Sequence, residues 1–157
     1  MRHDLDATDW RILRELMADA RISNVTLSAR VGLSPAPCLR RVRALEEAGV
    51  IRGYHAHING PRAGFDLVAY AMVRLHAQAE ADLRAFENLV LTWPLVREAL
   101  MLSGDVDYML KCIAPDLPTF QDFVLRKLTA APNVASVKTA LAIRVAKDEP
   151  GVPLMFS

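Results

Sequence analysis

The sequence predicts an α+β chain built in two parts, three helices with a small wing followed by a β-α-β-β-α-β unit. Up to Gly49 the apolar residues recur three and four apart, as on one face of a helix. From Leu67 onward, stretches with alternating apolar side chains are interrupted by two helical ones. Between these regimes, Asn59-Gly60-Pro61 and Ala63-Gly64 break both patterns. The expected organisation is residues 1–60 as one domain, 61–66 as a linker, 67–147 as a second domain and 148–157 as a tail without periodicity.

The first part is punctuated by caps. Asp6 can cap a helix carrying Ile12, Leu13, Leu16 and Met17, with Asp9 in its first turn. After the polar break Arg21-Ile22-Ser23-Asn24, a short helix places Leu27 and Val31 one turn apart, and Gly32 ends it. Ser34, followed by Pro35, opens a third helix that stops at Gly49. On that helix Cys38, Leu39, Val42 and Leu45 share one face, while Ala36, Pro37, Arg40, Arg43 and Ala44 share the other. Three helices in fewer than fifty residues, the last two joined through a glycine turn, predict a helix-turn-helix. Val50-Ile51, a turn at Arg52-Gly53, and the stretch from Tyr54 to Ile58 predict a hairpin beside it, the wing.

The second part reads as strand 67–76, helix 81–90, strand 96–102, strand 106–113, helix 117–128 and strand 134–145. That order is the ferredoxin-like motif, one antiparallel sheet with both helices on one face. Tyr70, Met72, Met101 and Met109 are assigned to the other face. So large an apolar surface calls for a second copy of the chain.

Charge distribution is more informative than the net charge of +1. Residues 1–62 hold ten arginines and seven acids, a net of +3, and residues 63–157 a net of −2. Five arginines and no acid lie between Ala20 and Leu45. Arginine offers bidentate contacts to phosphate and guanine, so this window suits a polyanion, although a merely solvated basic face fits the helix alone. There is no glycine-rich phosphate loop, Gly-x-Ser-x-Gly motif or clustered metal-binding spacing, which argues against an enzyme and against a cofactor. His55 and His57 share a strand face, a spacing that suits a metal or two solvated imidazoles; no third ligand is near in sequence. Cys38 and Cys112 read as buried free thiols. No stretch approaches the ~18 apolar residues of a membrane span, and the N-terminus has no apolar signal-peptide core, so a cytoplasmic protein with no membrane partner is expected.

Ser103-Gly104-Asp105-Val106-Asp107-Tyr108 reads first as a turn between strands. Its carboxylates and amides could also hold a small zwitterion at a subunit boundary. Taken with Leu5-Asp6, Asp9, Arg21-Ile22-Ser23-Asn24, Val31-Gly32-Leu33-Ser34-Pro35, Pro37-Cys38, Arg41-Val42, Leu45-Glu46 and Gly53-Tyr54, this turn makes the chain resemble the Lrp/AsnC transcription regulators over residues 4–147, closest to the leucine-responsive branch. That branch usually has Thr and Glu where this chain has Ala36 and Arg40. The resemblance implies a winged helix-turn-helix, an amino-acid-sensing domain, and homodimers that assemble further, often to octamers. It also implies an amino-acid effector at Met101, Ser103, Gly104, Asp105, Asp107 and Tyr108. For double-stranded DNA, Ala36, Pro37, Arg40 and Arg43 are the expected base-side residues, with Arg30, Ser34 and Arg41 toward phosphates. The alternative is an architectural DNA-wrapping protein with no effector response.

Overall fold

The computed structural model describes residues 4–149 and 151–154. The expected tail falls partly outside them, as do the first three residues. The described residues divide into two compact units, one built on the chain up to His57 together with residues from Lys147 onward, the other running from Ile58 to Ala146.

The first unit holds α1 (Ala7–Ala18), α2 (Asn24–Val31) and α3 (Pro35–Glu47). Asp6 caps α1 by accepting from the Thr8 and Asp9 amides at 2.8 and 2.9 Å, while Asp9 reaches back to the Asp6 amide, a reciprocal capping box. Ser23 caps α2, and Gly32 closes it in the left-handed conformation. Ile12, Leu27, Val31, Cys38, Val42 and Leu45 form the buried cluster. Leu39, expected on that face, is 39% exposed, because Cys38, Val42 and Leu45 already span the apolar stripe of α3.

The wing hairpin does not form. The amides of Val50 and Ile51 both donate to the Leu45 carbonyl, at 2.9 and 3.1 Å. This folds them back over the end of α3, where both pack against the buried cluster. The expected first strand is used up in closing the helix, and residues 52–58 carry no strand pairing. Instead the Tyr54 hydroxyl donates to Glu46 at 2.8 Å.

The second unit is a four-stranded antiparallel sheet in the order β2-β3-β1-β4, with β1 (Leu67–Leu75), β2 (Val96–Met101), β3 (Tyr108–Ala114) and β4 (Val134–Leu141). Helices α4 (Glu80–Leu91) and α5 (Leu117–Phe123) cover one face. Burial alternates along β1 and β3, as a sheet covered on one side requires. Ala69, Ala71, Val73, Leu110 and Cys112 face the helices, around an aromatic cluster of Phe86, Trp93, Tyr108 and Phe123. The other face carries Tyr70, Met72, Met109, Leu100, Glu98 and Lys111 by register. Met101 does not belong there: it pairs with Tyr108 and so points to the helix-covered side, at the sheet's end.

Three expected boundaries shift. The helix expected over 117–128 is α-helical only to Phe123, then winds a π-turn from Val124 to Leu128, whose end is tied by the Thr129 hydroxyl donating to the Val124 and Leu125 carbonyls. The last strand ends at Leu141 rather than Val145, since Val68, next to the first residue of β1, accepts the final bond from Ala142. Val106 and Asp107 lie in the turn, not in β3.

One polar tie fixes α3 against α1. Arg41 donates to Asp6 at 2.7 Å and to Asp9 at 2.8 Å, so a single guanidinium spans both carboxylates of the capping box. The Asp9 amide, then Arg41, hold the Asp6 carboxyl below its usual range. A depressed carboxylate contributes stability above its unfolded pKa of ~3.9 and loses it as pH falls through the lower folded value. Arg41→Gln should therefore lower the melting temperature at neutral pH, with the deficit shrinking below about pH 4. Thermal melts of both proteins across pH would show it; a deficit constant with pH would mean that Arg41 acts through packing alone.

Candidate nucleic-acid interface and effector site

The basic helix presents its arginines unequally. Arg40 and Arg43 are exposed and form no ion pair among the described residues. Ala36 is exposed one turn before Arg40, and Pro37 is half-buried. Ser34 sits at the N-cap in extended conformation, but its hydroxyl makes no capping bond, unlike the cap that its position suggested. Pro37, at the third helical position, lacks one of the two amides that such a cap would usually serve. The result is a helix face with small residues at its start and two uncommitted guanidiniums a turn further on.

Arg41 is a different case. Expected toward phosphates, it is instead held by Asp6 and by the nearly buried Asp9. Both bonds come from Nη1, so two carboxylates neutralise its charge and fix its direction, while Nε and Nη2 make no bond among the described residues. Its role is to orient the helix. Arg30 pairs with Glu15 at 2.8 Å, but its side chain is half-exposed, and such surface pairs are weak enough to exchange for a phosphate.

The six residues expected around an effector also separate. The Ser103, Gly104 and Asp105 side of the turn is exposed, and Gly104 has φ 146°, open to glycine without strain. Met101 is 57% exposed beside it. Asp107 points the other way. Its carboxylate accepts from the Leu75 amide and from Gln78, both at 2.7 Å, and its own amide donates to the Val73 carbonyl. These bonds strap the turn to the end of β1. Tyr108 is 2% exposed, packed on Phe86 with ring centroids 4.9 Å apart, and its hydroxyl donates to Glu87. Burial and the Glu87 carboxylate push that phenol up to about 12. Neither Asp107 nor Tyr108 offers a free group to a ligand, so the expectation for these two is corrected: they build the turn. The period-two pattern could have assigned Tyr108 inward, because it alternates with Leu110 and Cys112.

Among the described residues no group of three or more His, Cys, Asp or Glu is placed to hold a metal. His57 instead lies 3.2 Å from Asp148. Cys38 and Cys112 are free and buried, and desolvation pushes the Cys112 thiol up to about 11.

Residues 5–52 match the family model described as winged helix-turn-helix DNA-binding, and residues 68–152 match the Lrp/AsnC ligand binding domain. The chain belongs to the Lrp/AsnC family of transcriptional regulators. It is 57% identical over 148 residues to the leucine-responsive regulatory protein of Rhizobium meliloti, covering 94% of this chain and 95% of that one. It is 39% identical to the Escherichia coli K12 protein of the same name, over 92% and 88% of the two chains. A transcriptional regulator of Neisseria meningitidis, solved in complex with L-Met, superposes with a TM-score of 0.90 at 35% identity, over 97% of this chain and 98% of that one. As an Lrp/AsnC protein the chain is a DNA-binding regulator with an amino-acid-sensing domain, not an enzyme. No helix among the described residues is long and apolar enough to cross a membrane.

If Tyr108 is part of the turn's frame, Tyr108→Phe should lower unfolding stability by about 0.5–1.5 kcal/mol and leave any ligand response intact. Denaturant unfolding and ligand-induced thermal shifts on the same variant would separate the two effects; loss of the shift with unchanged stability would restore Tyr108 to the binding set.

Proposed function

We propose that α3 is inserted in the DNA major groove with Arg40, Arg43 and Ala36 at base edges and Pro37 on the same face, and with Ser34 and Arg30 along the phosphates. The observation that carries this is the sorting of arginines: Arg41 is neutralised and oriented by Asp6 and Asp9, whereas Arg40 and Arg43 are exposed on one face and unpaired among the described residues. A free guanidinium matches the O6 and N7 acceptors of guanine, and a small alanine admits a thymine methyl. The second unit is a self-association module, because Tyr70, Met72, Met109 and Leu100 leave its uncovered sheet face half-exposed. Two copies joined in this way carry two copies of α3, and one duplex can engage both. Further assembly to octamers and a cytoplasmic location belong to the same reading.

The effector is an amino acid, met by Asp105 for its ammonium and by the amides around Ser103 and Gly104 for its carboxylate. This stretch is exposed on a single turn, so a second copy completes the enclosure. An L-Met complex of a relative with 35% identity supports a zwitterion of this size.

Arg40→Ala should weaken specific binding by about 1–3 kcal/mol and relax base preference at one position. Titration of operator variants would measure this, and unchanged binding would remove α3 from the reading role. Twenty amino acids screened by thermal shift should stabilise the wild type with one or a few of them, and Asp105→Ala should flatten the response. A flat wild-type panel would favour the architectural, effector-independent protein.

A further inference from the structure

We propose that Asn24 is a positioning residue for base reading: its side-chain amide sets the first turn of α3, and through it the reach of Ala36 and Arg40. The inference rests on α3 being the reading helix. Asn24 is the first residue of α2, and its Nδ2 donates at 2.8 Å to the carbonyl of Pro35, the first residue of α3. One hydrogen bond thus ties the N-terminal ends of both helices of the motif across the intervening turn.

That first turn is short of other ties. Proline at 35 and again at 37 removes two backbone donors, and the Ser34 hydroxyl makes no capping bond. Further along, α3 is well held, by Arg41 on Asp6 and Asp9 and by Val42 and Leu45 in the buried cluster. Toward its start only Cys38 is fully buried. A small pivot about that point would move Ala36 and Arg40 relative to a base edge without disturbing the cluster. The Asn24 bond is what opposes this pivot.

The other half of the amide strengthens the assignment. Oδ1 of Asn24 is buried and has no hydrogen-bond partner among the described residues. A buried acceptor left unpaired destabilises a fold, so an apolar side chain would serve stability better here. Flipping the amide offers no relief, because it would set Oδ1 against the Pro35 carbonyl, two acceptors in contact. Asparagine at this position makes sense for its one used donor, and that donor acts on α3.

The test uses the full chain, a duplex recovered from a random pool by binding to the wild type, and a shuffled duplex of equal length. Asn24→Ala removes donor and orphan acceptor together. Asn24→Asp keeps the shape but cannot donate, and it sets an anionic oxygen against the Pro35 carbonyl, so it should lower the melting temperature as well as specificity. Each should reduce the ratio of specific to shuffled binding about tenfold, the size of one mismatched base pair, and for Asn24→Ala the melting temperature should be nearly unchanged. For Asn24→Ala the salt dependence of binding, which counts phosphate contacts, should match the wild type. In an Arg40→Ala background, Asn24→Ala should cause a smaller loss of specificity than in the wild type, what remains being the share read through Ala36. Specific and shuffled binding falling together with the melting temperature, or a full loss persisting without Arg40, would make Asn24 a structural residue only. Wild-type specificity in the Asn24 variants beside a defective Arg40→Ala would overturn this inference alone. Intact specificity in Arg40→Ala itself would overturn the reading role of α3, and this inference with it.

Discussion

The DNA-facing unit depends on Arg41 more than on any other single polar contact. Three short helices pack around six buried side chains ringed by partly buried ones, a small core in which a directional polar contact helps to fix their angles. A guanidinium shared between Asp6 and Asp9 supplies this constraint, because both carboxylates are already held rigid by the cap of α1. An ordinary surface pair orders two flexible side chains for little gain. Here the acceptors are preorganised, so most of that ordering is done before Arg41 arrives. The same contact explains why the neighbouring arginines remain available: the structural demand for charge is met by one residue, on the flank of α3 rather than on its open face.

The sensing unit follows a different constraint, the two-sidedness of its sheet. Strict alternation on β1 and β3 sends Ala69, Ala71, Val73, Leu110 and Cys112 under the helices, and it necessarily sends Tyr70, Met72 and Met109 the other way. Small alanines on the covered side let Phe86 of α4, Trp93 just after it and Phe123 of α5 come close to the strands. The turn between β2 and β3 is then pinned from within by Asp107 and Tyr108, and its exposed half, residues 103–105, is left free. Framework and display occupy adjacent residues of one segment.

Much of this was legible before any coordinates. The cap at Asp6, the glycine closing α2, and the proline start of α3 are local chemistry, and local chemistry is written in neighbouring residues. The β-α-β-β-α-β order followed from periodicity in the same way. The hairpin pairing expected at the wing was misjudged because Val50 and Ile51 carry strand-like side chains, yet their amides are claimed by the Leu45 carbonyl. Composition cannot reveal which acceptor reaches an amide first. The Thr129 hydroxyl and the π-turn it closes are of the same kind, since nothing in the helical spacing of Phe120, Phe123 and Leu128 signals an extra residue per turn.

What the sequence determined by itself was the family, the two-part architecture and the polarity of its helix and strand faces, because each rests on spacing along the chain. The tertiary structure decided which members of each charged or polar group are committed. Arg41 and Arg40 are adjacent and chemically identical, yet one is bound to residues more than thirty positions away and the other is not. Asp105 and Asp107 differ in the same way, through Leu75 and Gln78. Such partners are brought together only by folding, and hydrogen-bond donors and acceptors saturate, so the residues left over after folding are the ones that remain available to DNA and effector.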